Sequence, residues 1–253
     1  MKNLIFAALL GCAVATPAFA EDGDWSGPYA GISAGYSGAK SATTTALSGS
    51  WASESQALRD DVTGKFAANQ SVNDIAFGAQ LGYNYQTGGA VLGLEAEFSL
   101  LNGESVSTRG PLATTPFPAL SYTYTNRVDP KHMFALKAKV GAAMGKALIY
   151  AEGGWASAKA DLGADIVSNG GYSKSGRLSK SLNGFIIGGG VEYRMSDSVS
   201  ARLSYDYADL GDASYVNAYN AGSAFAPPGL NYTETMTQNL RLHLVRVGIN
   251  FHF

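Results

Sequence analysis

The sequence predicts an all-β protein, an eight-stranded antiparallel up-and-down transmembrane β-barrel, and three observations indicate this fold class. The C-terminal stretch alternates, because every second residue from Val245 to Phe253 is apolar and those between are polar or glycine. Seven other segments alternate in a similar way, and no stretch beyond residue 20 has the apolar length of a membrane-spanning helix. The connections between the segments are alternately short and long, as in barrels that cross a bilayer.

The eight alternating segments are each about ten residues long, which matches a tilted membrane-spanning strand. Strands of soluble proteins usually have about five or six residues. The clearest segment runs from Asp74 to Gln86 and has apolar or aromatic residues at every odd position from Ile75 to Tyr85. The predicted strands are 29–36, 74–86, 90–101, 132–143, 147–157, 183–194, 199–208 and 239–253.

The connections predict which end of the barrel faces outward. Three are tight turns near residues 87–89, 144–146 and 195–197, and the other four are long. The long connections are 38–73, 102–130, 158–182 and 209–238. This alternation predicts four long extracellular loops and three short periplasmic turns. A soluble lipocalin-type barrel also has eight strands, but it would carry its charges on the outward face.

Nearly all strand charges lie on the face opposite the apolar one, so they are predicted to point into the barrel. A single Arg or Lys on the lipid face near mid-bilayer costs about 2–4 kcal/mol. An interior of eight strands has room only for packed side chains. We therefore expect a charge-balanced, hydrogen-bonded plug, with solvated charges in a wider lumen as the alternative. The predicted interior charge network is Glu95, Glu97, Lys137, Lys139, Glu152, Glu192, Arg194, Arg202, Asp206 and Arg246.

Aromatic residues on the apolar face are predicted to form two girdles at the membrane interfaces. The periplasmic girdle consists of Tyr83, Tyr85, Tyr193, Phe251 and Phe253. The outer girdle consists of Tyr36, Phe98, Trp155, Tyr205 and Tyr207, and His243 falls close to it.

The N-terminus has the pattern of a secretory signal peptide. Lys2 precedes an apolar run, and Ala18-Phe19-Ala20 is a small-residue cleavage site, so residues 1–20 are predicted to be removed. The barrel domain then comprises residues 21–253. A lipoprotein reading around Cys12 is a weaker alternative. Cleavage after Ala20 removes the single cysteine, so disulfides would not stabilise the mature chain.

Three motifs carry a family resemblance: Trp25-Ser26-Gly27-Pro28-Tyr29-Ala30-Gly31, the run from Leu203 to Gly211, and the run from Val245 to Phe253. They resemble the first and last two strands of the small opacity-type, porin-family outer-membrane barrels, the OmpA-like barrels of alphaproteobacteria. The resemblance implies export through the periplasm to the outer membrane of a Gram-negative bacterium. It implies contact with outer-membrane lipid and lipopolysaccharide. It also implies that the barrel-assembly machinery reads Phe251 and Phe253 as a C-terminal assembly signal.

The sequence offers little sign of chemistry. His132 and His243 lie near the outer rim without a nucleophile or an orienting acid, so we expect no catalytic residues and no enzyme activity. No Cys or His spacing predicts a metal site, and we expect no cofactor. The net charge of −2 speaks against a nucleic-acid partner. Three functions remain: a structural envelope barrel, a small-solute porin, and an adhesin or receptor that binds a host-surface ligand through its loops.

Overall fold

A computed structural model describes residues 23–253, so the predicted signal peptide lies outside the described residues. A 3-10 turn at Ser50–Ser53 precedes the helix α1, Gln56–Phe66. The ten strands are β1 Gly27–Gly49, β2 Ala68–Thr87, β3 Ala90–Leu101, β4 Ser105–Ala113, β5 Ser121–Met144, β6 Ala147–Ser168, β7 Ser173–Ser196, β8 Val199–Val216, β9 Ala218–Tyr219 and β10 Tyr232–His252. Within residues 23–253, no helix is long and apolar enough to cross a membrane.

Eight of the strands form a closed antiparallel ring, which confirms the predicted fold class. Each ring strand pairs with its sequence neighbour in the ring, and β1 pairs with β10, where Tyr29 lies opposite His252. β3 pairs directly with β5, where Leu100 lies opposite His132. The two remaining strands lie at the outer end, where β4 pairs with β5 and β9 pairs with β7.

The strands continue well beyond their predicted outer ends. β1 runs to Gly49 rather than to residue 36, and β6 runs to Ser168 rather than to residue 157. The predicted loop 158–182 is therefore mostly strand, closed by the turn 169–172. Beyond the membrane the outer wall meets water, so the apolar face of each strand points into the barrel there.

The outer wall carries a broad apolar band between the two predicted girdles. Both sets of girdle residues lie on this wall, the periplasmic set beside the short turns and the outer set at the opposite edge. Residues between them, such as Leu81, Leu94 and Val247, are more than 60% exposed. Exposure of this extent on a continuous apolar face is suited to contact with lipid chains.

Helix α1 covers the outer opening of the barrel. Its N-terminus is capped by Ser55, whose Oγ accepts a hydrogen bond from the Leu58 N–H at 3.2 Å. Leu58 and Phe66 are buried against the barrel interior. Arg109 of β4 donates to the carbonyls of Lys65 and Ala67, at 3.0 and 2.7 Å, and so satisfies the C-terminal end of the helix. The sequence predicts a long loop over residues 38–73 and not this helix.

Two adjacent glycines in β6 provide a test of strand packing. A Cβ atom on Gly154 would overlap the backbone of Leu136 and Lys137, whereas a Cβ on Gly153 would meet only the Ile186 carbonyl, at 3.4 Å. We expect Gly154→Ala to lower the free energy of unfolding by about 1–3 kcal/mol, because neighbouring backbone must move. Urea unfolding of the refolded barrel measures this value. Gly153→Ala is the matched control and should unfold like wild type; equal stabilities of the two variants would contradict the packing argument.

Candidate functional site: the filled barrel lumen

A network of ion pairs fills the lumen at the level of the membrane. The barrel strands point these side chains inward because the alternate positions face lipid. Eight of the ten predicted interior charges meet here, four acids and four bases. They are Glu95, Glu97, Glu152, Asp206, Lys137, Lys139, Arg202 and Arg246. None of their side chains is more than 3% exposed.

Lys137 is the centre of the network. Its ammonium nitrogen lies 2.9 Å from Glu95, 2.7 Å from Glu97 and 3.0 Å from Glu152. Arg202 bridges two of the same acids, at 2.6 Å from Glu95 and 2.9 Å from Glu152. One cation thus serves three carboxylates that belong to two different strands.

Arg246 joins the network to the final strand. Its guanidinium donates to Glu97 at 2.9 Å and to Asp206 at 2.6 Å. On the opposite side, Tyr29 donates to Glu95 at 2.7 Å, and the Lys139 ammonium lies 3.0 Å from the Tyr29 hydroxyl. The network therefore ties six strands of the ring together across its interior.

The other two predicted members lie nearer the periplasmic mouth and outside these ion pairs. Glu192 accepts hydrogen bonds from Ser200 and from Asn250, the latter at 2.8 Å, and lies 3.3 Å from His252 Nε2. Arg194 donates to the backbone carbonyl of Asp197 at 2.8 Å.

Trp25 closes the periplasmic mouth. This side chain is fully buried just after the first described residues, and its backbone N–H donates to Gln86 at 2.8 Å. The Arg194 guanidinium lies 4.7 Å from the centre of the Trp25 ring, and the His252 ring lies 5.7 Å away, edge-on. A cation above an aromatic face adds an attraction of about 0.5–2 kcal/mol.

Two further layers fill the lumen above the ion pairs. The first is apolar and includes Met133, Ile186 and Leu244, all buried. The second consists of amides and hydroxyls, in which Gln238 Nε2 lies 3.0 Å from Thr43 Oγ1. The remaining contacts of this second layer are Gln238 to Asn126 at 2.5 Å, Tyr215 to Gln238 at 3.0 Å and Gln70 to the Asn126 carbonyl at 3.0 Å.

A second buried ion pair closes the outer end. Lys174 Nζ lies 2.7 Å from Glu234, and both side chains are at most 2% exposed. The same carboxylate accepts hydrogen bonds from Trp51 at 2.7 Å and from the Tyr172 hydroxyl. The Tyr219 ring lies 4.3 Å from the Lys174 ammonium. Helix α1 also packs at this end, where the Phe66 ring lies 5.5 Å from that of Tyr122, so buried side chains occupy the lumen from Trp25 to the outer end.

Three linked loop tips without charged residues form one part of the outer surface, beside the charged helix α1, whose Asp61 accepts a hydrogen bond from the Thr115 hydroxyl at 2.7 Å. The runs 110–126 and 213–233 contain no Asp, Glu, Lys, Arg or His. The turn 169–172 joins them, because Asn169 donates to the Ala119 carbonyl at 2.7 Å and the Ala224 N–H donates to Gly171 at 2.8 Å. Phe117 and Phe225 are each about half exposed on this surface, at 52% and 51%.

The histidines have structural contacts. His243 shares a hydrogen bond of 2.9 Å with the Tyr205 hydroxyl, and the His132 ring packs 5.7 Å from that of Phe98. In a catalytic triad the serine and the acid contact different nitrogens of the histidine ring. His252 contacts both Ser200 and Glu192 through Nε2, so these three residues do not have the arrangement of a triad. Across residues 23–253, no group of three His, Cys, Asp or Glu residues has the arrangement of a metal site.

The residues of the upper layers are not predicted from the sequence, because their segments lie in the predicted loops. Lys174 and Glu234 fall within the predicted loops 158–182 and 209–238. A period-two signal was present there: Leu162 and Ile166 are apolar while Asp161 and Asp165 are charged. The apolar positions have changed parity relative to Ile149 on the same strand, which concealed the continuation of the strand.

A family match and a sequence relative agree with this architecture. The family model described as outer membrane protein beta-barrel domain matches residues 4–253. A 31 kDa outer-membrane immunogenic protein of Brucella melitensis is 27% identical over 237 residues, which are 90% of this chain and 84% of that protein. Among solved structures, OprG of Pseudomonas aeruginosa is 12% identical with a TM-score of 0.44, over 91% of this chain and 99% of that one. Ail of Yersinia pestis is 13% identical with a TM-score of 0.36, over 90% of this chain and 99% of that one.

The central role of Lys137 is testable. We expect Lys137→Met to lower the free energy of unfolding by about 3–5 kcal/mol, because buried carboxylates then lose a shared cation. Urea unfolding in lipid vesicles measures this loss. Lys131→Met is the matched control, since Lys131 pairs with Asp129 on the exposed outer wall and surface pairs contribute less than about 1 kcal/mol. A Lys137→Met barrel as stable as the Lys131→Met barrel would contradict the network's role.

Proposed function

The chain belongs to the outer membrane protein β-barrel family, and from that premise we propose that it is a closed structural barrel that supports envelope integrity and presents a surface outside the cell. Its place is the outer membrane of a Gram-negative bacterium. In this role the folded barrel spans the membrane as a stable structural element. Its outer end exposes loops on the cell surface.

The observation that carries this proposal is the filled lumen. A pore for solutes needs a continuous wet path, yet the ion network, the apolar layer and the outer ion pair each cross the interior. Opening such a path would require charged side chains that are at most 3% exposed to leave their partners. Separating buried charges from their partners is costly, and three successive layers would have to rearrange. The porin reading is therefore the less favoured one.

Bilayer conductance separates these readings. We expect the refolded, purified protein to give no stable, uniform current steps in planar bilayers, because buried side chains fill the lumen at the level of the membrane. A trimeric porin in the same lipid serves as the positive control. Reproducible single-channel steps of one size would refute the closed barrel.

Removal of the protein from the bacterium should raise sensitivity to detergent, and the wild-type gene should restore resistance.

A second candidate function is a surface receptor, favoured by the uncharged loop tips. Phe225 combines half exposure with a backbone φ of 62°, a conformation that costs a non-glycine residue about 1–3 kcal/mol. Leu230 and Phe117 add exposed apolar area on the same surface, at 47% and 52%. An exposed apolar patch held in a strained loop is consistent with a binding role. The name of the Brucella relative describes it as immunogenic, which supports surface presentation here as well.

Changing the two tip phenylalanines tests the receptor function. We expect the Phe117→Ser, Phe225→Ser double variant to bind host cells at least tenfold less well than wild type, because hot-spot aromatics dominate such contacts. Adhesion of bacteria displaying each variant gives the readout. Val106→Ser is the control, since Val106 is equally exposed but lies on β4 away from the tips. Unchanged adhesion of the double variant would exclude these tips as the receptor surface.

A further inference from the structure

A cluster of charged residues lies on the outer wall immediately above the outer girdle. Lys40 of β1 is directly opposite Arg241 of β10 in the ladder, and both side chains are exposed. Their neighbours Ala39 and Leu242 are buried, so Lys40 and Arg241 share the outward face. Asp209 of β8 is opposite Arg241 on the other side. We call Lys40 and Arg241 the cation pair.

The acids near the cation pair act on Arg241 and not on Lys40. Like charges directly opposite each other destabilise a sheet. Asp209 compensates only one of the two cations, by accepting a hydrogen bond from Arg241 Nε at 3.0 Å. Among the described residues, Lys40 has no acidic partner within ion-pairing distance, and the two terminal nitrogens of Arg241 have no hydrogen-bond acceptor. The exposed Asp212 adds a weaker electrostatic attraction to Arg241, so the charge that has no acidic partner is that of Lys40, beside the free terminal nitrogens of Arg241.

The height of the cation pair matches the lipid headgroups. Lys40 lies four residues beyond Tyr36 of the girdle, and Arg241 lies four residues before Val245, which is opposite Tyr36. Four residues of strand rise about 13 Å, which is roughly 10 Å along the membrane normal for a strand tilted by about 40°. The headgroup region on each side of a bilayer is several ångströms thick, so the cation pair lies within or just above it.

We propose that Lys40 and Arg241 bind a phosphate group of the outer leaflet's phosphorylated glycolipid, lipopolysaccharide. Guanidinium nitrogens bind phosphate oxygens through charge-assisted, paired hydrogen bonds, and a lysine adds a point charge. Below the pair, Tyr36 and Tyr207 present rings at the interface, where aromatic side chains contact the headgroup layer. The proposal rests on the outer-membrane location but not on the structural role, so the two can fail separately.

Lys131 on the same outer wall distinguishes a specific site from general surface charge. This lysine is bonded to Asp129 and lies 3.9 Å from Asp161, so two acids neutralise it. If any exposed lysine near the membrane were sufficient to bind lipopolysaccharide, Lys131 and Lys40 would contribute equally to its affinity. If the unpaired charge matters, only the cation pair contributes.

The test measures binding of fluorescent lipopolysaccharide to the folded, full-length barrel in detergent micelles. A basic residue near an anionic surface contributes about 1 kcal/mol, which is about fivefold in affinity. We expect the Lys40→Gln, Arg241→Gln double variant to bind at least tenfold more weakly than wild type. Lys131→Gln should bind within twofold of wild type, and Asp209→Asn should bind about fivefold more tightly because it releases Arg241.

Ligand variants identify the source of the phosphate. Enzymatically dephosphorylated lipopolysaccharide should bind wild type as weakly as the intact lipid binds the double variant. Millimolar inorganic phosphate should not displace the lipid; complete displacement would indicate a site for soluble anions and would overturn the proposal. Equal affinity of wild type and double variant would overturn it as well. Heat-modifiable gel mobility checks folding, and Lys40→Gln alone repeats the test if the double variant does not fold.

Discussion

The circumference of the barrel is the constraint on which the rest of the structure depends. Eight tilted strands enclose a space that side chains fill completely, so every inward position must be compatible with its neighbours across the lumen. In the membrane-embedded part the outward positions must be apolar, which leaves the inward ones for charge. Lys137 can be fully buried only because three carboxylates surround it. The dense ion network is a direct result of a narrow tube placed in lipid.

Much of the fold follows from local sequence pattern, because lipid imposes a strict alternation on each strand. Ile75 to Tyr85 and Val245 to Phe253 reveal both the strand and its lipid face without any knowledge of distant contacts. The ring of eight and the inward direction of Glu95 or Arg202 follow from the same rule. The assembly role of Phe251 and Phe253 stays a prediction.

The outer half of the barrel was harder to predict, for a physical reason. Beyond the girdle the solvent of the outer wall changes from lipid to water, and the preferred parity changes with it. Leu162 and Ile166 therefore point inward, whereas Ile149 on the same strand points outward. A pattern with one apolar face per strand therefore predicts that the strand ends at this change. Contacts that join distant segments, such as Trp51 to Glu234, also leave no local pattern in the chain.

The length of the strands has a consequence for access from outside. β5 has 24 residues, so at about 3.3 Å per residue and a tilt of about 40° it reaches roughly 60 Å along the membrane normal. The apolar band of such barrels is only about 25 Å tall. The remaining 35 Å or so extends beyond the membrane as a continuous barrel wall, which holds the uncharged tips far above the lipid surface. A large molecule that approaches from outside therefore meets the tips before it meets the barrel wall near the membrane.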